Sequence, residues 1–363
     1  MQALSIAFEA IVPLLLIIAV GYAVKRLGWI GPEEVRRFNK VTFYTFMPVM
    51  LFHNIYISDF SQAVRLPYVL FVVGMALGMV VVAFGVVLLA EKAPERRGVM
   101  IQAAFRSNFV LLGLPIAAEL LPNGNFGVTA LMIAIVVPIY NMMSVVVLEY
   151  FRGGKPKLGE VLLAVAKNPL IIGSILGLLM QGLHIALPEV LVSFAGKMNS
   201  AATPLILLLL GASFEAQELA TYKKELLVCV GLRLVVFPGL ILTLSMALGL
   251  RDIEFVTLLA MTTAPTAVNS FNMAQQLGGD SHLAGSAVVV STALSFCTLF
   301  FWITLFKQLG MFWNHIKLRR MHHENTGNSR VRFRRPYCHG GGQCPHRRGE
   351  QRVLRRGDPL RAG

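Results

Sequence analysis

The chain has 363 residues, 55% of them hydrophobic and 14% charged, with a formal net charge of +14. Its apolar residues come in long runs rather than amphipathic stripes, and the connections are short. A polytopic helical membrane protein is therefore expected, with no room for a soluble domain between the runs. The charge does not point to nucleic acid, because about ten of the positive units fall after Leu309 and most other Lys and Arg sit in connections between apolar segments.

Ten segments approach the roughly 20 residues a helix needs to cross a bilayer. The first, about 6–24, contains Pro13 and Glu9; without a basic leader or a small-residue cleavage site it reads as a retained helix. A basic connection (Lys25, Arg26, Arg36, Arg37, Lys40) leads to the second, about 41–57, with Pro48, His53 and Asn54. The third, about 69–90, has Gly74 and Gly78 at a small-xxx-small spacing suited to close helix contact. The fourth, 105–125 (FRSNFVLLGLPIAAELLPNGN), is interrupted by polar residues, with Asn108 ahead of Gly113 and Pro115. The fifth, about 126–150, contains Pro138 and Asn141 and ends in the loop FRGGKPKLGE, the expected boundary between halves.

The sixth (about 169–187), seventh (201–214) and eighth (226–250, carrying Arg233) follow. The ninth contains 261–280, MTTAPTAVNSFNMAQQLGGD, where Pro265 is ringed by Thr262, Thr263, Thr266 and Asn269. A membrane helix tolerates such a proline only where the freed backbone groups find other partners, so a broken helix lining a polar site is expected. The tenth, about 284–306, carries Ser291. Residues 311–363 are basic, lack periodic apolar positions and read as a disordered tail whose composition resembles a non-native, frame-shifted end. Cys338, His339, Cys344 and His346 in that tail fit no standard zinc spacing. Cys229 and Cys297 read as small apolar residues.

Pro13 and Pro48 are 35 positions apart, as are Pro169 and Pro204, and Pro115 and Pro265 each precede a Gly-containing turn. This punctuation suggests an inverted repeat, 1–152 against 153–310. With the amino terminus outside, the odd connections collect most Lys and Arg, against Arg65, Lys197 and Arg251 on the other side; both termini then fall outside.

Where such helices break, the half-helix starts carry spare N–H groups and partial positive charge, so two of them make an anion site without a fixed cationic side chain. Asn108, Gly113, Pro115, Asn141, Thr262, Thr263, Pro265, Asn269 and Ser291 are the candidate substrate-binding residues. Arg233 is either a charge partner for a substrate carboxylate or a snorkelling, scaffold-stabilising arginine. No nucleophile, carboxylate dyad or metal cluster lies in the apolar segments, so an enzyme, a metal and a cofactor are not expected; coupling to sodium or protons stays open.

RSNFVLLGLP, APTAVNSFNMAQQLGGD, KNPLIIGSILGLL and TPLILLLLGASFE together resemble the auxin efflux carrier family, in its bacterial branch, over about residues 1–308. The resemblance implies an all-α integral membrane fold of ten helices as a five-plus-five inverted repeat. The fourth and ninth helices would cross at prolines, similar to bile-acid and sodium/proton antiporter folds. It also implies a scaffold of the first, second, sixth and seventh helices with the rest moving. Bacterial members are described as malonate, malate or other small organic-anion permeases, and plant members move the carboxylate auxin. The expectation is a secondary transporter of small mono- or dicarboxylates in the bacterial inner membrane, working by an elevator-like or rocking alternating-access motion. Its partners would be the anion and the lipid bilayer, with homodimerisation open. The rivals are a transporter-fold sensor or a channel for organic acids.

Overall fold

The computed structural model describes residues 2–57, 65–121, 127–152 and 158–311, all within one compact unit, Met1–Lys317. The turn 122–126, the central loop 153–157 and the tail from 312 onward, with its cysteines and histidines, lie outside the described residues. Among the described residues there are helices and no strands.

The helices are α1 (Gln2–Arg26), α2 (Pro32–Val41), α3 (Met47–Tyr56), α4 (Leu66–Ala90), α5 (Pro94–Phe105), α6 (Phe109–Leu120), α7 (Gly127–Phe151) and α8 (Leu158–Ala166). They continue with α9 (Pro169–Gly182), α10 (Glu189–Ser213), α11 (Glu218–Thr221), α12 (Lys223–Gly231), α13 (Phe237–Ala247), α14 (Asp252–Thr263), α15 (Asn269–Gln276) and α16 (Ser281–Gln308). Among the described residues, α4, α7, α10, the run Lys223–Ala247 and α16 are long and apolar enough to cross a membrane. The chain is thus all-helical with several membrane-length apolar spans.

Two wide turns join helices without ending them. In Thr42–Phe46 the N–H of Met47 reaches back to the Thr42 carbonyl, and in Leu232–Val236 that of Phe237 reaches the Leu232 carbonyl. Each ends two residues before a proline, Pro48 or Pro238, whose missing N–H disturbs the regular ladder. The Leu234 carbonyl, left free by Pro238, accepts instead from the Trp302 indole at 3.0 Å. Backbone continuity through polar stretches also lengthens two segments beyond their apolar cores. The second begins at Pro32 rather than near 41, and the seventh begins at Glu189 rather than near 201.

Two glycine contacts set the close packing of α1 on α10. A Cβ on Gly21 would stand 2.1 Å from the Leu208 carbonyl oxygen, and one on Gly211 would stand 2.0 Å from that of Ile18. The backbones therefore touch where only hydrogen fits, in a reciprocal pattern. Gly173 on α9 likewise faces the Pro48 backbone of α3, 2.6 Å from its oxygen. Gly74 and Gly78 behave otherwise. Among the described residues nothing lies within 4 Å of a Cβ at either, so the expected close contact is absent there. A small-xxx-small spacing permits approach but does not supply the opposing helix.

Candidate functional site: two paired helix breaks

The fourth and ninth apolar segments are each interrupted, between α5 and α6 and between α14 and α15. The breaks pair with one another. Ser107 and Thr266 form an isolated antiparallel bridge, the Asn108 N–H donates to the Pro265 carbonyl (2.8 Å), and the Ala267 N–H donates to the Arg106 carbonyl (3.1 Å). Side chains reinforce the exchange. Ser107 Oγ donates to the Met261 carbonyl (2.7 Å) and Thr266 Oγ1 to that of Ala103 (2.8 Å), each reaching the end of the other segment's leading helix. Backbone groups that a broken membrane helix would leave unsatisfied are thus satisfied across the pair.

The carboxyl-terminal ends of α5 and α14 meet on one side, around Arg233. This arginine is fully buried and donates to four carbonyls: Phe105 (3.1 Å), Met261 (2.8 Å), Thr262 (2.7 Å) and Ala264 (2.9 Å). It therefore does not snorkel to an edge. Nor is it among the residues lining the cavity described next.

The starts of α6 and α15 face a cavity of about 360 Å³. One wall comes from the breaks and α7: Arg106, Ser107, Asn108, Val110, Leu111, Val137, Tyr140, Asn141, Ala267, Val268 and Asn269. The other comes from α1 (Leu14, Ile17), α3 (Met50, Leu51, Asn54) and α10 (Asn199, Ser200, Thr203, Pro204, Leu207). Arg106 is buried; its guanidinium donates to Asn141 Oδ1 and to the Met273 sulfur. Among the described residues, the Nδ2 donors of Asn108 and Asn141 are buried without a hydrogen-bond partner. Asn108 caps the start of α6 by position, but its side chain makes no capping bond. A buried cation, two unpaired amide donors and two helix starts on one cavity make an environment for a hydrogen-bond acceptor carrying negative charge.

Of the residues expected from sequence, Asn108, Asn141 and Asn269 line this cavity. Pro265 sits in its break and contributes its carbonyl to the pairing. Ser291 supports the same break, its Oγ accepting from the Thr266 N–H at 3.2 Å. Thr262 and Thr263 bond back to the Leu258 and Leu259 carbonyls and do not line the cavity, because a threonine late in a helix is satisfied by the preceding turn. Pro115 is exposed within α6 and away from the break, which instead falls at Arg106–Asn108. The paired strand-like segment ends α5 there without a proline. Gly113 likewise lies outside the cavity: a Cβ on it would strike the Phe109 ring of its own helix at 2.3 Å.

Arg106 is the residue sequence reasoning missed, and it replaces the expectation of a site without a fixed cation. Its signal was an ionisable side chain inside an apolar segment, directly before Ser107 and Asn108. Asn199, Ser200 and Thr203 had weaker signals, lying around the point where α10 extends beyond its apolar core, with Thr203 just inside that core.

A smaller cavity, about 140 Å³, lies at the other end of the same helices. Going along α1 the first cavity uses Leu14 and Ile17 and the second Lys25; along α15 the order is Asn269, then Gln275. Between them a buried amide cluster joins α2 to α15. Asn39 Nδ2 donates to Gln275 Oε1 (2.8 Å), and Asn272 Nδ2 donates to the Asn39 carbonyl (3.1 Å) and Oδ1 (3.0 Å).

Residues 6–303 match the family described as Membrane transport protein. Two archaeal proteins of similar length are related: an uncharacterised transporter of Methanocaldococcus jannaschii, 24% identical over 307 residues (82% of this chain, 98% of the relative), and one of Methanothermobacter thermautotrophicus, 24% identical over 310 residues (81% and 96%). The match over most of the chain bears out the resemblance to the auxin efflux carriers drawn from its motifs. With its membrane-length helices and paired breaks, the chain is a multi-pass membrane protein that belongs to the Membrane transport protein family.

Proposed function

We propose that the protein is a secondary carrier of small organic anions, mono- or dicarboxylates, which binds the carboxylate at the paired breaks and moves it by alternating access. The observation that carries this reading is the unpaired Nδ2 of Asn108 and of Asn141 beside the buried Arg106 guanidinium, in a cavity large enough for a small acid. Arg106 offers charge-assisted donors, the amides complete the oxygen's partners, and Asn269 and the start of α6 add their dipoles.

Ten spans in two inverted five-helix halves are part of the same proposal. The matched close contacts of Gly21 on α1 with α10 and of Gly173 on α9 with α3, and the exchange of Ser107 and Thr266 bonds between the breaks, are the arrangement a two-fold relation would produce. The α1, α3, α9 and α10 group would serve as scaffold and the broken helices as the moving part, with the Asn39–Asn272–Gln275 cluster closing one side. The basic loops face the cytoplasm in this reading, with both termini outside a bacterial inner membrane. The lipid bilayer and the anion are its partners, and a homodimer is compatible with it.

The test is a melting-temperature screen of the purified protein against organic acids, followed by counterflow of a labelled hit in proteoliposomes. Saturable counterflow supports the carrier. Binding without flux would make the protein a sensor, flux without counterflow a channel, and the absence of any stabilising carboxylate would overturn the anion site.

A further inference from the structure

We infer that Arg233 is a built-in counter-cation for the carboxyl-terminal ends of the two broken helices, holding the place that a coupling metal ion would otherwise occupy. For a carrier of the kind proposed above, on which this role rests, the consequence is that the breaks need no sodium to stay assembled.

The argument begins with electrostatics. A helix carboxyl terminus carries roughly half a negative charge, so the ends of α5 and α14, brought together by the paired breaks, amount to about one negative charge in a buried place. In transporters with broken helices, unwound carbonyls and half-helix ends of this kind coordinate the coupling cation. Here the same chemical groups are engaged by a side chain. The Phe105 carbonyl at the end of α5, and those of Met261, Thr262 and Ala264 around the end of α14, all accept from one guanidinium.

Arg233 is also expensive enough to require a reason. It is fully buried, and those four bonds go to backbone carbonyls rather than to a carboxylate. A buried charge is tolerated only when something compensates it, and two helix ends supply about the needed opposite charge. The wide turn Leu232–Val236 places the arginine in a local irregularity that shifts which direction a side chain leaves the helix. A planar fork of five donors suits carbonyls arriving from two helices, which lysine, a point charge with three donors, cannot match.

The division of labour is then complete: amino-terminal ends and Arg106 face the cavity, while carboxyl-terminal ends face Arg233.

Two measurements test this, and one does not depend on transport. In detergent, R233A should melt below the wild type and be restored in part by millimolar guanidinium, with R233K intermediate; the wild-type melting temperature should not change when sodium is exchanged for choline. An R233A protein that melts like the wild type, or a guanidinium shift equal in both, overturns the role. In proteoliposomes, wild-type carboxylate flux should be unchanged by the same exchange, and R233A flux should fall at least about tenfold. A strict sodium requirement in the wild type overturns the inference. If the wild type moves no carboxylate at all, the carrier reading fails, and the melting experiment alone decides the role of Arg233.

Discussion

The backbone N–H of Asn108 donates to the Pro265 carbonyl at 2.8 Å, joining residues that stand in different halves of the sequence. With the return bond from Ala267 to Arg106, it makes the two breaks one unit rather than two neighbouring kinks. Anything bound at Asn108 is therefore positioned by both segments at once.

Arg106→Ala should weaken carboxylate binding by roughly ten- to a hundredfold, the equivalent of a charge-assisted hydrogen bond of about 1.5–3 kcal/mol. Asn141→Asp should do the same by a different route, because a carboxylate of nearly the same shape would pair with the Arg106 guanidinium that now binds the Asn141 oxygen. Carboxylate-dependent melting shifts measure both, and unchanged affinity in either variant removes Arg106 from the site.

Asn108→Ala and Pro115→Ala separate the break from the proline. The first removes an unpaired donor lining the cavity, whereas Pro115 is exposed within α6 and outside it. Affinity should fall at least about fivefold in the first, as for one lost hydrogen bond of about 1 kcal/mol, and stay at the wild-type level in the second. Titration of the two variants with the same acid gives the comparison directly.

Asn39→Ala removes the centre of the cluster that joins α2 to α15. Loss of these bonds destabilises the arrangement in which α2 is tied to α15 by about 1–3 kcal/mol and shifts the population toward one in which the smaller cavity is open. A single cysteine at Ser286, which lines that cavity, placed in a protein whose Cys229, Cys297, Cys338 and Cys344 are all serine, should react with thiol reagents about tenfold faster in the Asn39→Ala background. Equal labelling rates would argue against this cluster as a closure.

Gly211→Ala should destabilise the protein by about 1–3 kcal/mol, because its new Cβ would stand 2.0 Å from the Ile18 oxygen and force α1 from α10. Gly74→Ala should be neutral or stabilising by up to about 1 kcal/mol, since nothing described lies within 4 Å and alanine is the better helix former. Melting temperatures in detergent distinguish the two.

Asn108, Asn141 and Asn269 were legible in the sequence because a polar amide in an apolar run is costly unless it meets something polar. Pro265 was legible because proline removes a donor that the membrane cannot replace. The break before α6 was misplaced onto Pro115, since one segment by itself does not reveal that another will arrive to take over its hydrogen bonds.

Composition and periodicity by themselves determined an all-helical membrane protein and marked two interrupted segments, because the bilayer admits little else for such runs of apolar residues. Only the tertiary structure decided that the interruptions pair, that Arg106 faces a cavity, and that Arg233 faces the opposite helix ends. The physical reason is that hydropathy reports how costly a side chain is in the membrane, whereas the partner that offsets the cost lies far away in sequence: Arg233 is bonded to Phe105, 128 positions before it.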